Sequence, residues 1–262
     1  MFPLAHNFLM KRIMENPKYQ LDKMLDSLQQ NLILVGSVFP DLAAGMGMHR
    51  DYAHLMGEDV YRYCYDFCPE NIPFAFGVWA HGADPCGFDY YADEHWGDGK
   101  GWCFQKCAPY IDEVVKACNL PQEWGLWKAH NFVEMMAEME CAAECPDLGS
   151  SLVNAKNDPE VLQRVFRVVT EYGGAISDQV RPVINSIDEI FAITAVTPQT
   201  LGEKYADQLV RRHGITGSNP EHMAEILTCI SRDLRGEFWE WYDQVELIIC
   251  KELEDKTDFL ID

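Results

Sequence analysis

No run of about 20 apolar residues occurs in the 262-residue chain, so no segment is expected to cross a membrane as a helix. Basic residues are scarce: 21 lysines and arginines stand against 42 acids, a formal net charge of −21. That balance argues against general nucleic-acid binding, which needs cations to neutralise phosphates. It also argues against stable membrane association by charge on anionic lipid. No cysteine pair has the C-x2-C spacing of zinc ribbons or thioredoxin-like motifs, although the chain holds 10 cysteines. No His-Asp dipeptide occurs, which counts strongly against an HD-type phosphohydrolase. No convincing strand run is present. The opening MFPLAHNFLMKRIMENP lacks a charged leader, a long apolar stretch and a small-residue cleavage site. It is therefore expected to be an amphipathic helix, and the cysteines to be reduced thiols in a cytoplasmic protein.

What the chain does have is helical periodicity. The spacing predicts helices near 3–15, 20–35, 51–66, 72–82, 107–119, 121–142, 158–173, 177–195, 199–213 and 219–254. Asp158 followed by Pro159 and Glu160 has the grammar of a helix start, and Asn219-Pro220 repeats it. Pro182 is expected in the first turns of its helix or at a kink. The expectation is one all-α domain over residues 1–262, with no repeat and no linker. Three cysteine pairs, Cys64/Cys68, Cys103/Cys107 and Cys141/Cys145, share a C-x3-C spacing that puts both thiols on one helical face. They are either thiolate sites or, by the stronger expectation, small core hydrophobes. Two long irregular segments, 36–50 and 81–102, interrupt the pattern, and long loops in helical domains often carry function.

Six of the eight histidines fall in the first half: His6, His49, His54, His81, His95 and His130. Within KAHNFVEMMAE, His130 and Glu134 are four apart and share a helical face. His81 ends the apolar stretch IPFAFGVWA, with Asp84 three residues on. Asp41 sits in a turn after Pro40, where an aspartate can also bond its own backbone. Asp89 and His95 lie in the aromatic loop. Imidazole and carboxylate together suit zinc, and also iron or manganese. Helical bundles build polynuclear sites from such pairs facing one another. His213 and His222 lie in ordinary charged helix surroundings and are expected to be structural.

The order PLAHNFLMKRIME with His6, GSVFPD with Asp41, then His54, AHGAD with His81 and Asp84, and HNFVE with His130 and Glu134 resembles the zinc-dependent phospholipase C family. The resemblance covers roughly residues 3–140 and is carried by short motifs. It implies an all-helical domain with a trinuclear zinc cluster in its N-terminal half that hydrolyses phosphate esters. By that resemblance His6, His54, His81, His130 and Glu134 are ligands, with His49 the alternative to His54. Asp41 is a ligand and the catalytic base or orienter of water. Asp84 or Asp89 bridges, and His95 completes the second site. The family's middle pair is H-x3-D where this chain has H-x2-D, but Asp89 to His95 keeps the D-x5-H spacing that follows. Secreted members also use their terminal amino group as a ligand. A chain starting at Met1 without a leader is expected to hold one metal differently or to lack it.

The implied activity is metal-dependent hydrolysis of a phosphate ester, with two or three zinc ions and a small, soluble phosphoester as substrate. Phe88, Tyr90, Tyr91 and Trp96 are expected to wall the substrate's non-phosphate part; an aromatic mini-core under the loop is the alternative. Two other classes stay open: a non-catalytic metal-binding protein of the same fold, and a helical interaction protein with incidental histidines. The second half, with EFWEWYDQVELIICKELE, is expected to supply core packing or a dimer face.

Overall fold

The computed structural model describes residues 2–261, with the side chains of residues 2–254 and of Lys256. The terminal amino group of Met1 lies outside the described residues. The α-helices of five or more residues are α1 Pro3–Glu15, α2 Ser27–Gly36, α3 Arg50–Leu55, α4 Gly57–Phe67, α5 Ile72–His81, α6 Trp102–Lys106, α7 Ile111–Cys118, α8 Gly125–Glu144, α9 Leu148–Asn157, α10 Pro159–Glu171, α11 Ser177–Asn185, α12 Pro198–His213 and α13 Pro220–Ile261. They form a single all-α domain. Among the described residues there is no β-strand, only an isolated bridge between Trp96 and Gly99. No helix there is long and apolar enough to cross a membrane.

Several expected helices are divided, each for a local reason. The stretch 20–35 breaks at Leu25, because Asp26 starts a new helix: the Gln29 N–H donates to Asp26 Oδ1 at 2.8 Å and the Asp26 N–H to Gln29 Oε1 at 3.0 Å. The stretch 51–66 divides at Met56 into α3 and α4. The stretch 177–195 ends at Asn185 in α11, which carries Pro182 inside it, and resumes only as Ile187–Ile190. Asp158 caps α10 through the N–H groups of Glu160 and Val161. The irregular segment 36–50 contains a short helix, Phe39–Leu42, and a 3-10 turn, Ala43–Met46. All ten cysteines are free, and the three C-x3-C pairs are buried.

Three contacts position the first half. Helices α2 and α5 cross with backbone against backbone. A Cβ at Gly36 would meet the Phe74 carbonyl at 2.1 Å, and one at Gly77 would meet the Ile33 carbonyl at 2.3 Å. Any side chain at either position would push these helices apart. Helix α1 is anchored at its start by α8: the Leu4 and Ala5 N–H groups donate to the Glu138 carboxylate at 3.0 and 2.9 Å. Those N–H groups have no partner within their own helix, so an acceptor from elsewhere is required. The third contact comes from α13, whose Tyr242 hydroxyl donates to the Ala5 carbonyl at 3.1 Å.

The aromatic run of α13 therefore belongs to the core. Trp241 stacks on Trp102 at 5.0 Å, and Phe88 packs on Trp241 and Tyr242 at 5.4 and 5.2 Å. These contacts hold the loop 81–102 against the bundle from behind.

Burial raises the Glu138 carboxyl to about 8, against the two N–H bonds that lower it. Glu138→Ala would strand two buried donors. It is expected to cost about 2–4 kcal/mol in urea unfolding and to weaken metal retention through displaced His6. Unchanged stability would show that α1 is not held by this carboxylate.

Candidate metal centre

Five side chains from five separate places converge on one point. His6 comes from α1, Asp41 from the Phe39–Leu42 turn, His54 from α3, His81 from the end of α5, and Asp89 from the loop. The centre is the Asp89 carboxylate, which is 3% exposed. Its Oδ1 lies 3.3 Å from His6 Nε2; its Oδ2 lies 3.3 Å from both His54 Nε2 and His81 Nε2. Asp41 Oδ1 lies 3.5 Å from His54 Nε2. The rings of His6 and His81 stack at 3.7 Å. One ligand atom from each of Asp41, His54, His81 and Asp89 falls within 4.8 Å of the others.

The ring tautomers are fixed from outside this cluster. His81 Nδ1 is 2.6 Å from the Ser37 carbonyl, and His54 Nδ1 is 2.8 Å from the Arg50 carbonyl. A carbonyl only accepts, so each Nδ1 carries hydrogen and donates it. In neutral rings each Nε2 then presents a lone pair to carboxylate oxygen, an arrangement that demands a cation between them. A proton or a metal ion meets that demand, and backbone-anchored Nδ1–H groups are the usual support for ligand histidines. The titration behaviour follows. Burial lowers His54, but Asp41 and Asp89 outweigh it and raise it to about 10. Burial and the neighbouring His81 lower His6 to about 3. Burial would raise both carboxylates, but His54 and His81 lower Asp41, and the three rings contribute to holding Asp89 below the carboxylate range.

A second group, Asp93, His130 and Glu134, lies beside the first. His130 and Glu134 share one face of α8, and the His130 ring stacks on Phe104 at 4.1 Å. Asp93 comes from a π turn, Tyr90–Glu94, that begins directly after Asp89. Burial and the adjacent Glu134 raise Asp93 well above its usual range. Without a cation, two facing carboxylates cannot both ionise easily.

The structure thus brings together His6, Asp41, His54, His81, Asp89, His130 and Glu134. Three expected ligands lie elsewhere. Asp84 is exposed: α5 stops at His81, Gly82 is extended, and the Ala83 N–H donates to the His54 carbonyl at 2.8 Å, so Asp84 shares no helical face with His81. His95 is exposed in extended backbone just beyond the π turn, which aims Asp93 at the centre instead. His49 is exposed beside Asp51, so the choice between His49 and His54 falls to His54. No cysteine belongs to either group among the described residues.

A cleft of about 630 Å³ reaches the first group at Asp41 and the second along Asp93, His130 and Glu134. The aromatic loop does not wall it. Phe88 is fully buried behind His6, and Tyr90, Tyr91 and Trp96 face Trp241 or one another; they form the mini-core. The apolar walls are Phe2, Leu42, Trp127, Val183, Ile190 and Phe191. Sequence reasoning missed Asp93, although it stands four residues after Asp89, and His213, which lines the cleft from α12. It also missed Arg50, whose charge lies in the field of Asp41, Asp89, Glu134 and Asp93.

In comparisons with family models, with curated proteins and with solved structures, nothing matches this chain.

The raised His54 gives the sign of a pH effect. A divalent ion entering the first group displaces the His54 proton, so apparent zinc affinity of chelator-treated protein is expected to rise about tenfold per pH unit between pH 6 and 8. Calorimetry in two buffers of different ionisation enthalpy would show about one proton released per ion. Zinc binding with no pH dependence would place the ion elsewhere.

Proposed function

We propose that the protein is a metal-dependent hydrolase of phosphate esters, with zinc as the metal. The observation that carries this reading is one cleft that reaches the first ligand group at Asp41 and the second at Asp93, His130 and Glu134. A structural metal site is normally closed by protein ligands, whereas a catalytic one faces a space that admits substrate. The motif order shared with the zinc-dependent phospholipase C family supports the same reading.

His6, His54, His81, Asp41 and Asp89 would hold ions at the first group, and Asp93, His130 and Glu134 at the second. The buried ring nitrogens without hydrogen-bond partners, His54 Nε2 and His81 Nε2, fit such ions. Bound zinc supplies Lewis-acid polarisation of phosphoryl oxygens, neutralises developing charge, and lowers the pKa of a held water to about 7.

The chain's own residues do the rest. Asp41 lines the cleft, and its Oδ2 has no hydrogen-bond partner. His54 and His81 keep its carboxylate ionised despite burial. A carboxylate in that position accepts a hydrogen bond from the attacking water and orients it, or takes its proton as general base. Arg50, from the same rim, offers a guanidinium to the phosphoryl oxygens.

Elemental analysis of protein purified without chelator should find two or three zinc-like ions per chain, reduced in His81→Ala and in His130→Ala. Zinc-loaded protein should hydrolyse bis(p-nitrophenyl) phosphate, and Asp41→Asn should lower kcat by about 10²–10⁴-fold, with metal content, read beside kcat, held by the three histidines and Asp89. Full metal occupancy without turnover would favour the non-catalytic metal-binding reading. No metal even after zinc is supplied would leave a helical interaction protein.

A further inference from the structure

A chain with a net charge of −21 gathers cations on the far side of this cleft. Lys128 is the informative one. It sits two residues before His130 on α8 and is 5% exposed. Its Nζ lies 3.0 Å from His213 Nε2 and 4.8 Å from the centre of the Trp127 ring. Among the described residues no carboxylate lies within ion-pair distance of Lys128 or of Arg212. The other cations nearby are satisfied: Lys204 donates to the Glu189 carbonyl at 2.6 Å, and Arg211 pairs with Asp207 at 3.7 Å.

A buried ammonium beside a guanidinium and without a counter-ion is costly unless an anion arrives. Acids outnumber bases two to one in this chain, and two of them, Glu189 and Asp207, line the same wall, yet neither forms an ion pair with Lys128 or Arg212. The cleft itself is of the size that takes a whole small molecule, not a lone phosphate.

We propose that the substrate is a soluble, doubly anionic phosphoester: one phosphoryl group lies on the metal-ligating groups, an apolar or aromatic segment on Trp127 and Phe191, and a second anion, carboxylate or phosphate, on Lys128, Arg212 and His213. This rests on the hydrolase reading for the phosphoryl end only. It also reconciles the acidic chain with an anionic substrate, since the local cations act within a Debye length of about 8–10 Å while the distant acids are screened.

The test is binding, not turnover. Calorimetry on the zinc-loaded 262-residue chain compares phenyl phosphate with 4-carboxyphenyl phosphate, which adds the second anion to the same ring. The second probe is expected to bind at least about tenfold tighter, the scale of one hydrogen-bonded charge pair. That ratio should collapse towards one in Lys128→Gln and in Arg212→Gln. The second variant is at the surface and leaves the buried packing intact. Lys23→Gln, remote and exposed, should keep the ratio. Equal affinity of the two probes in the parent, or a ratio that survives both cleft variants, would overturn the proposal. Preference without turnover would remove the hydrolase and keep the anion site; turnover without preference would do the reverse. Vesicles containing phosphatidylinositol 4-phosphate that displace the probe would overturn the soluble-substrate assignment in favour of a lipid headgroup.

Discussion

One buried carboxylate, Asp89, organises the first half of the molecule. Its two oxygens meet imidazoles from α1, α3 and α5, three helices that are not consecutive neighbours in the chain. An isolated ionised carboxylate is expensive to bury. Here the cost is offset only if all three rings, and a cation among them, arrive together. The positions of those helices are therefore correlated, and each has a separate device that holds its ring in range.

For α5 the device is the absence of two side chains. Gly36 and Gly77 let α2 and α5 touch along their backbones, and this brings the Ser37 carbonyl to His81 Nδ1. For α1 it is Glu138 from below and Asn7 from the side, whose amide donates to the Leu34 carbonyl at 3.0 Å and to Ser37 Oγ at 2.9 Å. For α3 it is the loop beyond α5, which bonds the His54 carbonyl through the Ala83 N–H. The second half of the chain supports the loop that carries Asp89, through Trp241 and Tyr242. It also supplies the α12 wall of the cleft. The catalytic proposal thus concerns the N-terminal half, but the space in front of it is built by both halves.

The helical class and most long helices were legible because apolar residues recur at helical spacing. The breaks at Leu25 and Met56 were less legible. A single cap such as Asp26 outweighs a continuing apolar pattern, and only its Gln29 partner announces it. At the site, His130 and Glu134 were readable because one helix carries both. Asp84 and His95 misled because a spacing rule presumes regular backbone, and both follow points where it changes: extended Gly82, and the π turn at Tyr90–Glu94. Asp93 and Lys128 were hidden for a different reason. Their meaning depends on what α8 and α12 place opposite them, and local spacing does not encode that. The aromatic loop invited a substrate-facing reading, since composition alone does not say which side of a loop is covered by a distant helix.

The π turn has one more consequence. Asp89 stands directly before it and Asp93 within it, and each belongs to a different candidate ligand group. With only three residues between them, one carboxylate does not move far without carrying the other. An ion held at Asp89 would therefore preset the approach of Asp93 to His130 and Glu134. Were both groups to take metal as proposed, the shared turn would couple their occupancy: with metal in short supply, full and empty molecules would outnumber half-filled ones.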